Sequence, residues 1–119
     1  MEQIQVPKFI KKLKDILEKE NKEIISWGNN NISFEIHDIH RFENEILPKY
    51  FKSNKIKSFQ RQLNYFKFKK ITKKYSKICT YYNTNFNRYN DNFLIFLDKV
   101  YNYKKKGIRN TTVNLYTYN

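Results

Sequence analysis

The spacing of apolar residues changes several times along the chain, and this succession limits the possible folds more than any other feature of the sequence. Residues 8–20 have apolar side chains at helical intervals, with charged residues between them. Residues 24–27 and 32–36 have the composition of short strands, and the turn-forming residues 28–31 lie between them. The pattern predicts an amphipathic helix followed by a β-hairpin.

A second helix is predicted to begin after Asp38, because an aspartate side chain can accept a hydrogen bond from the first helical turn. Pro48 falls late in this helix and should kink or bulge it, since proline has no backbone N–H to donate. Ser53-Asn54 marks a turn, and a third helix follows at about residues 57–66.

The third helix has one apolar face. At ~100° per residue, its apolar side chains cluster on one side, and Arg61 points almost opposite to them. The clustered residues are Phe59, Leu63 and Phe66. The pattern predicts a helix that is anchored on its apolar side and presents a guanidinium outward. A solvated arginine on an ordinary surface helix is the alternative interpretation.

A second hairpin is predicted in residues 67–90, with its turn near Tyr75-Ser76. The side chains expected to pair across it are Phe68 and Ile71 on one strand and Ile78, Tyr82 and Phe86 on the other. An apolar helix over residues 93–100 would close the core. The order helix, hairpin, helix, turn, helix, hairpin is the layout of a winged helix-turn-helix domain.

The excess positive charge is confined to one segment of the chain. The formal net charge is +13, and residues 46–90 contain 12 Lys and Arg but no Asp or Glu. The other 12 basic residues face 11 acidic ones. This distribution predicts one positive surface, and polyphosphate is the commonest partner of such a surface. The codon bias of an AT-rich genome could raise the lysine count, but it would not clear acids from one segment alone.

Other classes of function have little support. Two glycines exclude a glycine-rich phosphate loop, and no nucleophile–base pair is visible, so we expect no enzyme activity, small-molecule substrate or cofactor. His37 and His40 have a spacing that permits metal ligation, but no third ligand is evident, and we expect no metal site. The single Cys79 excludes an internal disulfide. No apolar run approaches the ~20 residues of a membrane span or forms a signal peptide, and an intracellular setting fits best.

Five segments carry a resemblance to a known family. They are VPKFIKKLKDIL, IISW, SFEIHD, FENEILPKYFKSN and SFQRQLNYFKFKKI. Their sequence and spacing resemble the DNA-binding domain of heat shock transcription factors, strongly over residues 6–71 and more faintly through residues 86–88 and 93–100. The combination of LPKYFK with SFxRQLN is highly specific.

The resemblance implies an α+β winged helix-turn-helix domain, with a three-helix core and a small antiparallel sheet. It further implies double-stranded DNA with GAA repeats as the partner, a stress-responsive transcription factor, and a nuclear location. The third helix would enter the major groove, where Arg61 and Asn64 would contact bases. An arginine fork matches guanine O6 and N7. The implied contacts to the DNA backbone are Lys52, Ser58, Gln62, Tyr65, Lys67 and Lys70.

Some residues depart from the family pattern. Gln60 stands where the family usually has valine. Phe66 lacks the hydroxyl of the usual tyrosine, and Lys67 replaces a glycine, so we expect the turn after the third helix to differ. Only nine residues separate Ile71 from Tyr81, which predicts a shortened wing.

We expect residues 1–103 to form the DNA-binding domain and residues 104–119 to form a polar, basic tail. The tail lacks the apolar heptads of a coiled coil, which predicts a monomer in solution that assembles only on DNA. The alternative function is a protein-interaction module that competes with a full-length heat shock factor. Arg61, Lys52 and Lys70 argue against pure protein binding.

Overall fold

The computed structural model describes residues 7–89. Its elements are α1 (Lys8–Lys19), β1 (Ile25–Trp27), β2 (Ser33–Ile36), α2 (Ile39–Arg41), a π-helical turn (Phe42–Ile46), α3 (Leu47–Tyr50), α4 (Ile56–Tyr65), β3 (Lys69–Ile71) and β4 (Cys79–Tyr82). The predicted helix at residues 93–100 and the tail at 104–119 lie outside the described residues, as does the predicted domain boundary between residues 103 and 104.

Helix α1 confirms the predicted amphipathic helix. It begins after Pro7, which suits the entry to a helix because its fixed φ matches the first turn. The five apolar residues that define its pattern are all buried: Phe9, Ile10, Leu13, Ile16 and Leu17. This helix therefore packs along one side of the core and directs its lysines to the surface.

The four strands form one antiparallel sheet in the order β1-β2-β4-β3. Both predicted hairpins are present, and Trp27 lies opposite Phe34 in the first of them. Phe34 is fully buried and stacks on Tyr81 with ring centroids 5.5 Å apart. Phe34 is thus a packing residue. The sheet and the helices together confirm the α+β winged helix-turn-helix fold.

The prediction of which side chains of the second hairpin face the core was wrong near its turn and at Tyr82. Ile71 and Ile78 are each 38% exposed, whereas Tyr81 is 3% exposed and faces the core in place of Tyr82. The reason is the position of the hairpin in the sheet. Strand β4 lies between β2 and β3 and is covered, but β3 is an edge strand and its residues are all exposed.

The second helix is interrupted where Pro48 disturbs it. The Leu47 N–H donates to the carbonyl of Phe42, five residues back, and so makes a π-helical turn between α2 and α3. The missing N–H of Pro48 prevents a regular bond to the carbonyl four residues earlier. Asp38 caps α2 by accepting a 3.0 Å bond from the Arg41 N–H. Both features confirm the predictions.

Aromatic rings join the helices to each other. The Phe9 ring lies 5.4 Å from the ring of Phe59 and 5.8 Å from that of Phe66, while Phe42 meets Phe59 at 5.0 Å. This cluster fixes α4 against α1 and the π-helical turn.

Within residues 7–89, every helix is too short or too polar to cross a lipid bilayer.

Candidate nucleic-acid interface

Helix α4 lies on the core by one face and presents the opposite face to solvent. Phe59 and Leu63 are buried at 3% and 0% exposure. Arg61 and Asn64 are exposed on the other side, together with Lys57. The predicted orientation of Arg61 is confirmed, and the helix presents a guanidinium and an amide where a ligand can reach them.

A carboxylate from the preceding helical segment caps the start of α4. Glu43, in the π-helical turn, accepts a 2.7 Å hydrogen bond from the Ile56 N–H. The first N–H groups of a helix have no partner within the helix, and a negative charge there is favourable. This bond joins the two helices of the helix-turn-helix unit. Sequence reasoning missed Glu43, because a cap thirteen residues upstream gives no local signal.

The end of α4 is closed by a Schellman motif centred on Lys67. The Phe68 N–H donates to the Leu63 carbonyl at 2.9 Å, and the Lys67 N–H donates to the Asn64 carbonyl at 3.0 Å. Lys67 has φ 68°, in the left-handed region that favours glycine. The lysine therefore adopts a backbone conformation that favours glycine, and its side chain does not prevent a Schellman motif from forming.

Two side chains connect α4 to the strands behind it. The Gln60 amide donates to the Tyr81 hydroxyl at 2.9 Å, and the Asn83 amide donates to the Phe66 carbonyl at 2.8 Å. Tyr81 is buried, and this burial raises the pKa of its hydroxyl, while the Gln60 bond acts in the opposite direction. The helix is thus held at its start, middle and end.

The structure brings most of the predicted contact residues to the surface around α4. Lys52, Lys67 and Lys70 are exposed, and Ser58 and Tyr65 are partly exposed. Lys70 lies opposite Tyr81 in the β3–β4 pairing, so its side chain is on the sheet face where Tyr81 contacts α4. The Ser58 hydroxyl accepts a 3.1 Å bond from Ser53 in the turn before α4.

Gln62 is the exception. It is 4% exposed, and it lines a small cavity with Phe9, Phe51 and Ser58. Its Oε1 atom receives no hydrogen bond from residues 7–89. The phosphate contact predicted for Gln62 therefore does not fit this structure. The helical angle carried the signal, because at ~100° per residue Gln62 lies only about 40° from the buried Phe66.

A group of lysines beside Lys52 was also missed. Lys8 lies one helical turn before Lys12 on α1, and burial together with the charges of Lys8 and Lys52 lowers the pKa of Lys12. The Lys12 ammonium is 5.2 Å from the centre of the Phe51 ring. This cluster extends the positive surface past the start of α4. Only tertiary packing brings it together.

The two histidines have separate partners. The His37 ring shares a 2.8 Å hydrogen bond with the Ser26 hydroxyl, and the His40 ring shares a 3.1 Å bond with Asn44. Among residues 7–89, no three His, Cys, Asp or Glu side chains are grouped to hold a metal ion.

The helix-turn-helix unit, the exposed face of α4 and the hairpin beside it define a winged helix-turn-helix protein with a basic interface. Helix–turn–helix geometry of this kind presents its second helix to the major groove of DNA.

The comparisons with known proteins support the same class of protein. The model of the HSF-type DNA-binding family matches residues 9–110, and the chain belongs to that family. The family is a class of DNA-binding domains, not of enzymes.

Individual relatives support the same family assignment. Human heat shock factor protein 2 is 48% identical over 67 residues, which is 56% of this chain and 12% of the relative. Heat stress transcription factor A-1e of Arabidopsis thaliana is 37% identical over 67 residues, or 56% of this chain and 14% of the relative. The chain thus spans only about an eighth of the length of these relatives.

Among solved structures, Skn7 of Chaetomium thermophilum with SSRE DNA superposes with a TM-score of 0.69 at 27% identity, over 74% of this chain and 94% of that chain. A heat shock transcription factor/DNA complex gives a TM-score of 0.58 at 35% identity, over 65% of this chain and 94% of that chain.

Proposed function

We propose that this protein binds double-stranded DNA at GAA-type sites and regulates transcription in the nucleus. The observation that carries the proposal is the exposure of Arg61 on a helix whose opposite face is buried through Phe59 and Leu63. A helix anchored in this way fits the major groove, and a guanidinium fork recognises guanine through two parallel hydrogen bonds. Solved structures that resemble this chain contain DNA, one of them SSRE DNA and another HSE DNA.

Asn64 is the second proposed base contact. It lies three residues after Arg61, and residues at that spacing are neighbours on a helix surface. An amide matches the N6 and N7 edge of adenine in the same bidentate manner in which arginine matches guanine. A guanine followed by adenines therefore suits the pair, which supports a GAA-type site.

The proposed phosphate contacts surround this reading face. Lys52 precedes α4, Lys67 and Lys70 follow it, and Ser58 and Tyr65 lie on its flanks. Lys12 and Lys8 are added to this set, because the Lys12 ammonium lies 5.2 Å from the centre of the Phe51 ring, next to Lys52 in the chain, and Lys8 lies one helical turn before Lys12. Such contacts fix the register and orientation of the protein on the duplex without reading its sequence.

The experiment compares a labelled duplex with inverted GAA repeats to a scrambled duplex of equal composition, at one fixed salt concentration. A bidentate contact discriminates by ~1–3 kcal/mol, so we expect a preference of roughly 10- to 100-fold for the GAA duplex. Equal binding to both duplexes would contradict the proposed specificity. Absence of binding to either would favour a protein-interaction module instead.

The oligomeric state forms part of the proposal. Residues 101–119 show no heptad pattern, so we propose that this chain is monomeric when free and that two copies assemble only on paired sites. Sedimentation should give a monomer without DNA and a larger species with a two-site duplex. A stable trimer in the absence of DNA would contradict this.

A further inference from the structure

A small cavity lies beneath the start of α4, between that helix, α1 and the turn that precedes it. Three aromatic side chains form its walls, with ring centres 5.4 to 6.1 Å apart: Phe9, Phe51 and Phe59. Three polar side chains complete the lining: Ser53, Ser58 and Gln62. The cavity has a volume of about 10 Å³, close to the ~10–15 Å³ that one water molecule needs.

The side chain of Gln62 brings an acceptor to this cavity. Gln62 is 4% exposed, and its buried Oε1 atom receives no hydrogen bond from residues 7–89. Gln62 follows Ser58 by four residues, and side chains at that spacing are neighbours that lean toward the start of the helix. A buried carbonyl oxygen without a hydrogen bond is costly, and such groups are almost always satisfied in folded proteins. The Gln62 oxygen therefore requires a donor small enough for the cavity.

The two serines lie between Gln62 and the surface. The Ser53 hydroxyl donates to Ser58 Oγ at 3.1 Å, and both residues are partly exposed, whereas Gln62 is buried. A hydroxyl oxygen has two lone pairs and one proton. Ser58 Oγ can therefore accept a second hydrogen bond from inside the cavity and still donate its own proton outward.

We propose that the cavity binds one internal water molecule, which donates to Gln62 Oε1 and to Ser58 Oγ and so aims the Ser58 hydroxyl at a DNA phosphate. Once Ser53 and the water occupy both lone pairs of the Ser58 oxygen, its proton points away from the cavity. Gln62 is then a positioning residue that acts on DNA binding from a buried site. The inference rests on the proposed function, because it takes Ser58 as a phosphate contact.

The water site is tested without DNA, by high-resolution crystal structures of the full chain and of Gln62→Met. Wild-type protein should show a water within hydrogen-bonding distance of both Gln62 Oε1 and Ser58 Oγ, and the variant should lose it. Methionine has nearly the same shape as glutamine but no side-chain oxygen. In a dry cavity this change would remove an unpaired buried acceptor and raise the unfolding midpoint. We expect no rise. A rise, or a side chain from outside residues 7–89 bonded to Gln62 Oε1, would overturn the water site.

The coupling to Ser58 is tested by DNA binding. Ser58→Ala should weaken binding to GAA and scrambled duplexes alike by about tenfold, because it removes a hydrogen bond to a charged group. Gln62→Met should weaken both by roughly two- to tenfold, the effect of one neutral hydrogen bond. The double variant should bind no more weakly than Ser58→Ala, because the water acts only through the Ser58 hydroxyl. The salt slope should stay at its wild-type value in all three, since no charge is removed.

Gln60→Met is the matched control. It removes the amide of the other glutamine of α4, which bonds to Tyr81 and does not line the cavity. Any loss of DNA binding that it causes should therefore add to the loss in Ser58→Ala.

The outcomes separate this inference from the proposed function. Additive losses for Gln62→Met and Ser58→Ala, or unchanged DNA binding of Gln62→Met, would overturn the positioning role. A lower salt slope in Gln62→Met would also overturn it, because the lysine contacts would then have been lost through a shift of α4. If wild-type protein binds no DNA, the proposed function and the coupling both fail, while the crystal structures still decide the water site. Equal wild-type binding to GAA and scrambled duplexes would overturn only the proposed specificity.

Discussion

The side-chain amide of Gln60 donates a 2.9 Å hydrogen bond to the hydroxyl of Tyr81 and so ties the middle of α4 to the central strands of the sheet. Tyr81 is buried and stacks on Phe34, which is itself fully buried. The position of the reading helix is therefore coupled to the core of the sheet. This contact also explains how a polar residue is accommodated where the family usually has valine.

Gln60→Val should lower the free energy of unfolding by about 1 kcal/mol, the net contribution of a hydrogen bond of this kind. Tyr81→Phe should have a similar effect, because it removes the other partner. Urea unfolding of both single variants and of the double variant gives the coupling between them. The double variant should be no less stable than the less stable of the two single variants. Strictly additive losses in the free energy of unfolding would contradict the coupling.

Arg61→Ala should remove the part of the preference for GAA-containing DNA that guanine recognition supplies and leave the fold intact, because the Arg61 side chain points away from the buried face of α4. The expected loss is ~1–3 kcal/mol of discrimination. Binding to specific and scrambled duplexes reports the discrimination, and thermal unfolding reports the fold. Arg61→Lys is the control that keeps the charge but lacks the planar fork. A variant without arginine that prefers GAA as strongly as the wild-type protein would show that another residue reads the guanine.

Lys52→Ala and Lys70→Ala should each weaken binding to every duplex by a similar factor. Both lysines are exposed beside α4, and phosphate contacts carry no sequence information. Each variant should reduce the slope of log affinity against log salt by about 0.9. Titrations at several salt concentrations on GAA and scrambled duplexes measure this. An effect confined to the GAA duplex would mean that the lysine contacts a base.

Lys67→Gly should stabilise the protein by about 1 kcal/mol, because Lys67 has φ 68° and glycine occupies that region without steric cost. Lys67→Ala is the matched control, since it removes the same charge but keeps the Cβ atom. Chemical denaturation should rank the glycine variant above both the alanine variant and the wild-type protein. Equal stability of the two variants would mean that the backbone at residue 67 is unstrained. Both should bind DNA slightly more weakly, through loss of one phosphate contact.

Tyr50→Phe should alter the alkaline stability of the protein. Burial and a 2.7 Å hydrogen bond to Glu20 raise the pKa of Tyr50 to about 12, from 10.0 in an unfolded chain. Between these two values the unfolded state loses a proton that the folded state keeps, so Tyr50 contributes stability below pH 10.0 that is lost as the pH rises to about 12. The free energy of unfolding, measured across this pH range, should fall more steeply in wild-type protein than in Tyr50→Phe. Parallel curves would contradict the raised pKa.

Periodicity and charge determined much of this protein from the sequence alone. A helix repeats its faces every 3.6 residues and a strand every two, so the apolar pattern fixed α1, the first hairpin and the outward direction of Arg61 without reference to any distant residue. Asp38 and Pro48 act within one helical turn of their own positions, and their effects were predicted for the same reason. The acid-free segment at 46–90 located the positive surface, because charge can be read directly from residue types.

Contacts between distant residues were decided only by the tertiary structure. The Glu43 carboxylate reaches Ile56, and the Lys12 ammonium lies over the ring of Phe51 next to Lys52, because packed helices bring them together and not because of any local spacing. Gln62 is polar in type but buried in fact, since the α1 aromatic Phe9 lies beside it. The exposure of Ile71 follows from the edge position of β3, which depends on strand order. Local patterns state which face of an element is apolar, whereas packing decides which neighbours cover it.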